Sequence, residues 1–248
     1  MKKNTLFLGF LIFFTFLGAS CSGSKADISG TFLERYEKGM NLYDNEKYYK
    51  AIDHFTFVVY NAPGSDIADD AQFKLANCHY HLKEYLVAID EFRRLMLRWP
   101  ASELVEEADF MIGESYNKLS PLYQRDQTYT YEAIRQYQDF IQTYPYSKHR
   151  KTAEQRIQDL RMKLAQKVYD SGKLYMVLRE WNSAVITFEE ILKNYYDTSL
   201  YHPTLLDIAE CYKKMNDPAK MMEFYKQIDR NKLLSAQDKI RYNSLISE

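Results

Sequence analysis

The sequence is poor in chain breakers, with 8 glycines and 6 prolines in 248 residues. Over such a length that scarcity favours helices and leaves little room for a turn-rich architecture. Cysteine is nearly absent: Cys21, Cys78 and Cys211 are the only three, so no disulfide framework is expected. Neither sign of charge dominates, 33 bases standing against 34 acids, which argues against a general nucleic-acid binder. Catalytic signatures are missing too. There is no HExxH, no GxSxG, no glycine-rich phosphate loop and no paired CxxC, so neither an enzyme nor a cofactor site is expected. The only cluster of ligand atoms is Cys78, His79 and His81, and His79 points about 100° round a helix from Cys78. Packing, and no metal, is the expectation there.

What is present begins at the N-terminus. Lys2 and Lys3 precede twelve apolar or near-apolar residues, Leu6 to Leu17, the length of a secretory signal core and too short to span a bilayer comfortably. Gly18, Ala19 and Ser20 then lead into Cys21, a pattern that resembles a bacterial lipobox. The resemblance implies a signal peptide over residues 1–20 and a mature lipoprotein carrying diacylglycerol and an N-acyl lipid such as palmitate on Cys21. Several acyl chains on one residue hold a protein at a membrane. The alternative is a secreted soluble form. The next residues, CSGSKADISG, read as a flexible tether over 21–31, reaching at most about 35 Å.

Three stretches align without a gap: PGSDIADDA from Pro63, PASELVEEA from Pro100 and PYSKHRKTA from Pro145. Twelve residues before each proline stands an alanine (Ala51, Ala88, Ala133), and four residues after each alanine an aromatic (Phe55, Phe92, Tyr137). Gly172, Tyr175, Ala184 and Phe188 form a fourth copy, and Ala209, Tyr212, Met221 and Tyr225 a fifth. The spacing from Ala51 to Ala88 gives a period of 37 residues, which marks a repeat architecture. Small residues let paired helices approach, the aromatic fills the space between them, and proline ends the second helix. The serine two residues on is placed to cap the next one. This order of residues resembles the tetratricopeptide repeat. It implies an all-α, tetratricopeptide-like superhelical solenoid of five helical hairpins with a concave groove.

Two departures shape the domain reading. Tyr116 to Ala133 is 17 residues against nine elsewhere, so LSPLYQRD is expected to form a protruding loop. Gly113 to Gly172 is 59 residues rather than 37, and the surplus reads as one long helix from Lys148 to about Leu178. The solenoid is therefore expected to split into repeats one to three (32–147), a substrate groove, and a second part (148–248). That part holds the long helix, repeats four and five and a C-terminal cap, for partner docking. Charge changes at the same place. Ser102 to Glu114 holds five acids and no base, whereas Ser147 to Lys167 holds seven bases and two acids. Lys148, Arg150 and Lys151 sit at a helix start, where bases cost about 0.3–1 kcal/mol each. They read either as a solvated face with acids nearby or as a contact for an acidic partner or lipid headgroups.

The exposed stripe of each first helix recurs at i, i+4, i+7. In the first two copies it carries Tyr36, Met40, Tyr43, Phe73, Asn77 and Tyr80, an aromatic trough suited to an extended apolar peptide or to a segment of the chain itself. The lipoprotein signal, the five repeats, the insert, the long helix and the run RDQTYTYEAIRQYQDFIQTYPYSKHRKTAEQRIQDLRMKLA together resemble the BamD family. These are the lipoprotein subunits of the outer-membrane β-barrel assembly machinery. The resemblance implies an outer-membrane scaffold on the periplasmic side. Its trough would receive unfolded barrel proteins, and Arg179, Glu180 and Trp181 at the fourth hairpin turn would dock on the POTRA domains of the barrel subunit BamA. Other lipoprotein subunits would be further partners. The rival readings are an envelope adaptor for division or peptidoglycan without barrel substrates, and a glycan-binding lipoprotein, a class about twice this length.

Overall fold

The computed structural model describes residues 31–246. The expected signal peptide, Cys21 and the tether up to residue 30 lie outside the described residues. Within them the chain forms eleven α-helices and one short 3-10 turn, with no strand. In chain order these are α1 (Phe32–Asp44), α2 (Tyr48–Asn61), α3 (Ala68–His81), α4 (Tyr85–Arg98), α5 (Val105–Leu119) and α6 (Thr128–Thr143). There follow α7 (Arg150–Val177), α8 (Trp181–Asn194), α9 (Tyr201–Lys214), α10 (Pro218–Tyr225), the 3-10 turn (Arg230–Lys232) and α11 (Ala236–Ser244). Thr31 and Glu34 start α1 as a capping box, each side chain accepting the other residue's backbone N–H. From α1 to α10 every helix packs on the one before it and the one after it. The five-hairpin grouping is the sequence's own period, because α2 lies against α3 about as fully as against α1.

The short turns inside the hairpins obey one rule. Glu46, Lys83, Arg179 and Asn216 all have positive φ, from 57° to 64°. In each case the next residue's N–H reaches back five positions, as Lys47 does to the Leu42 carbonyl and Glu84 to that of His79. This is a Schellman ending, which satisfies the last carbonyls of the helix and reverses the chain within three residues. None of the four is glycine.

The small residues do what their spacing implies. A methyl group on Gly39 would stand 2.9 Å from Phe55 Cε1, on Gly113 2.7 Å from Tyr137 Cε1, and on Gly172 2.3 Å from Phe188 Cε1. In all three hairpins the glycine faces the aromatic four residues past the partner helix's alanine. Phe55, Phe92, Tyr137 and Phe188 are fully buried, each contributing about 1.5–3 kcal/mol by leaving water.

Two expectations need correction and a third needs refinement. The repeated serine is not the helix cap. Ser102 and Ser147 lie one turn earlier, each accepting from the N–H two residues on (Leu104 at 3.2 Å, His149 at 3.0 Å). Each also donates to an acid of the preceding repeat, Ser102 to Asp69 and Ser147 to Glu106, both at 2.6 Å. Asp69 and Glu106 are one period apart, so the serine ties one repeat to the one before. The insert is the expected exposed loop, with Leu122 72% exposed, but it is tied back to the fold. Buried Gln127 donates to the carbonyls of Leu122 and Arg125, and Lys167 of α7 donates to Arg125 O at 2.9 Å. Finally, the long helix does not interrupt the core. Ala153, Leu160 and Leu164 of α7 are buried in one apolar cluster running from Ala76 on α3 to Cys211 on α9.

Candidate functional site

The aromatic stripe divides between two clusters. Tyr36, Met40 and Tyr43 pack half-buried on the core formed by α2 and α3. The Tyr36 hydroxyl donates to Asp70, and burial followed by that bond pushes its pKa well up. Tyr43 meets Tyr48, Phe55 and His81 edge-on, while His81 stacks on Tyr48 at 4.4 Å. Phe73 and Tyr80 belong to the central cluster, against Phe92 and Tyr85. Asn77 departs from the expected trough. It is 8% exposed and its side-chain amide donates to the Phe73 carbonyl of its own helix, so it is not presented to a ligand. The trough is therefore a row of half-buried ring edges. A shallow pocket of about 490 Å³, lined by Glu34, Glu37, Lys38, Asn41, Leu42 and His54, lies on the opposite face of α1.

The possible metal cluster is dispersed by its own neighbours. His79 pairs with Glu84 at 2.7 Å, His81 stacks on Tyr48, and burial pushes the Cys78 thiol up to about 12.

The basic start of α7 is answered from within the fold. Lys148 and His149 both bind Glu107, at 3.1 and 2.7 Å, and Arg150 pairs with Glu154 at 2.9 Å. Burial alone would raise the Glu107 pKa, yet the hydrogen bonds from His149 and Lys148 hold it below the usual range. Further along, Arg156 holds Glu114, Arg161 grips Asp197, and Lys163 donates to Ser120 Oγ. Of the seven bases, Lys151 alone has no partner among the described residues. The acid-rich and base-rich copies are complementary faces of one joint.

At the fourth hairpin turn, Arg179 holds the left-handed position, Glu180 is exposed and half-buried Trp181 opens α8. Beside them Leu174, Val177 and Leu178 are 58, 78 and 58% exposed. Sequence reading missed this aliphatic patch, although LYMVL at a helix end is its signal. It also missed Arg241 on α11, which meets Asp207, Glu210 and Asp238. Asp109 was missed as well: burial pushes its pKa up to about 6 against an opposing hydrogen bond from Gln136. Among the described residues no helix is long and apolar enough to cross a membrane.

A family model described as YfiO, outer membrane lipoprotein, matches residues 30–227. The chain is similar to the outer membrane protein assembly factor BamD of Rickettsia prowazekii (strain Madrid E). The two are 26% identical over 224 residues, covering 89% of each. Among solved structures, a thermophilic TPR protein of Thermus thermophilus is 18% identical, covering 87% of this chain and 99% of its own, with a TM-score of 0.37. The TPR2AB domain of a yeast protein, in complex with pHSP90, is 16% identical over 86% of this chain and 82% of its own, with a TM-score of 0.44.

Proposed function

The chain belongs to the YfiO family of outer membrane lipoproteins, and from that membership we propose that it is a lipid-anchored, non-catalytic scaffold of outer-membrane protein assembly. The observation that carries the reading is the family match over residues 30–227, joined by a relative named as an assembly factor that aligns with 89% of the chain. Acyl chains on Cys21 hold the protein to the periplasmic face of the outer membrane. The POTRA domains of the barrel subunit BamA dock at Arg179, Glu180 and Trp181. Exposed Leu174, Val177 and Leu178 support that site, because three neighbouring aliphatics left in water mark a surface that gains by being covered. Extended, aromatic-ended segments of unfolded barrel proteins lie along Tyr36, Met40, Tyr43, Phe73 and Tyr80, whose four half-buried rings are rigid and cost little entropy to engage while Met40 adapts between them. Other lipoprotein subunits complete the assembly.

The test is gentle solubilisation of membranes, capture through a C-terminal tag and identification of what is retained. Stoichiometric recovery of a barrel protein carrying POTRA domains is the expected result, with Trp181→Ala and Val177→Asp reducing it. Recovery of division or peptidoglycan proteins without it overturns the reading.

A further inference from the structure

Arg241 is the most heavily engaged cation among the described residues. Its Nε and Nη2 donate to the two oxygens of Glu210 at 2.8 and 2.6 Å, Nη1 donates to Asp238 at 2.8 Å, and Nη2 also reaches Asp207. Asp207 is fully buried, and its Oδ1 also accepts from Lys173 of α7 at 2.9 Å. Its other oxygen, Oδ2, has no hydrogen-bond partner. The seat is thus a pair of carboxylates on one face of α9, at the end of the solenoid.

The helix that fills it is held far less firmly. α11 has nine residues, none of them buried, and an isolated helix of that length does not persist in water. Beyond Arg241 its holds among the described residues include the Tyr225–Tyr242 stack at 4.6 Å, Lys213 Nζ to the Ser244 and Leu245 carbonyls at 3.2 and 3.4 Å, and buried Leu245 just past its end. It also lies beyond residues 30–227, the part that the family model covers. A firm seat therefore carries a light occupant.

The physics of the seat sets the chemistry of any exchange. A buried carboxylate cannot be left with half its counter-charge, so α11 does not simply lift away. It leaves when another cation arrives. The two-pronged grip on Glu210 with a third contact to Asp207 needs the planar fork of a guanidinium, which an ammonium cannot supply. We propose that α11 is an exchangeable self-ligand of the Asp207–Glu210 seat, and that an arginine-bearing segment of a partner protein, with an aliphatic residue four positions on as in Arg241 and Leu245, takes its place.

A fluorescent peptide of residues 232–248 is the probe, added to the full chain in detergent. The Arg241→Ala protein, with α11 unlatched, is expected to bind the peptide at least tenfold more tightly than wild type. A peptide carrying Arg241→Lys is expected to lose most of that gain. Hydrogen exchange on the same mixture should show α9 regaining protection as the peptide binds. If circular dichroism shows Arg241→Ala unfolded, Arg241→Gln, which keeps length and polarity, takes its place. A folded variant that ignores the peptide overturns the proposal. So does equal binding by wild type, or a lysine peptide that binds as tightly as the arginine one. These outcomes are independent of the assembly reading, which the membrane capture tests separately.

Discussion

Two residues before the small residue of its first helix, the second hairpin carries Lys74 and the fifth carries Asp207; one residue after it they carry Asn77 and Glu210. The register is the same and the chemistry is opposite. Lys74 lies over the Tyr43 ring at 5.2 Å and Asn77 bonds to its own helix. Asp207 and Glu210 both wait on a guanidinium from another element. Ring contacts are weak singly, about 0.5–1.5 kcal/mol each, so the aromatic stripe of the N-terminal end does not hang on any one of them. A buried carboxylate is intolerant, so the C-terminal end is complete only while a cation is present. The repeat fixes where side chains stand and leaves free how each end is finished.

The largest expected effect probes what the two ends share. Gly172→Ala drives a methyl into fully buried Phe188 and should cost about 2–3 kcal/mol, read as a lower urea midpoint. Gly39→Ala, with the looser approach, should cost about 1 kcal/mol. Equal losses would mean that the ends are packed alike. Next comes the contrast in charge. Arg241→Ala should cost about 2 kcal/mol, because buried Asp207 loses one of its two ion-pair partners and keeps Lys173, and should speed exchange in α11 while leaving α2 unchanged. Lys74→Ala should cost about 0.5 kcal/mol, the scale of an exposed cation–ring contact.

Between the ends, Asp109 offers a pH test. A carboxyl whose pKa rises on folding binds its proton more tightly in the folded state. It therefore supports the fold fully below its unfolded value, and stability is lost as pH rises from about 4 to about 6. Asp109→Asn should gain about 1–2 kcal/mol at pH 7.5 and nothing at pH 3.5, by urea titration at both values. The last comparison is between turns. Lys83→Gly should gain about 0.5–1 kcal/mol by relieving a left-handed residue, and Asn216→Gly less, since asparagine tolerates that conformation.

The helix pairs and their close approaches were legible because a 37-residue period repeats one geometric demand: small against aromatic. Gly39 with Phe55 and Gly172 with Phe188 needed no knowledge of the rest of the chain. The roles of the polar residues were less legible. Ser102 and Ser147 stood where a cap would be, but their hydroxyls serve a neighbouring repeat, and no local rule announces a partner 33 or 41 positions away. The bases of α7 read equally as a face with acids nearby or as an offer to a partner, and only folding, which places Glu107 and Asp197 beside them, decides for the acids. Asn77 counted as groove by helical spacing, and burial removed it. Arg241 was invisible because it lies outside the repeat altogether.

The long helix has a consequence beyond packing. α7 runs for 28 residues, about 42 Å at the usual rise, from the joint with Glu107 to the turn at Arg179. It acts as a ruler that sets phase as well as distance. Adding one residue near its middle would rotate one half of the molecule by about 100° against the other, whereas adding seven would lengthen it by about 10 Å with a residual rotation of only about 20°. Length changes in this chain are therefore quantised there, and the distance between its two ends can vary without a change of phase only in steps of about two turns.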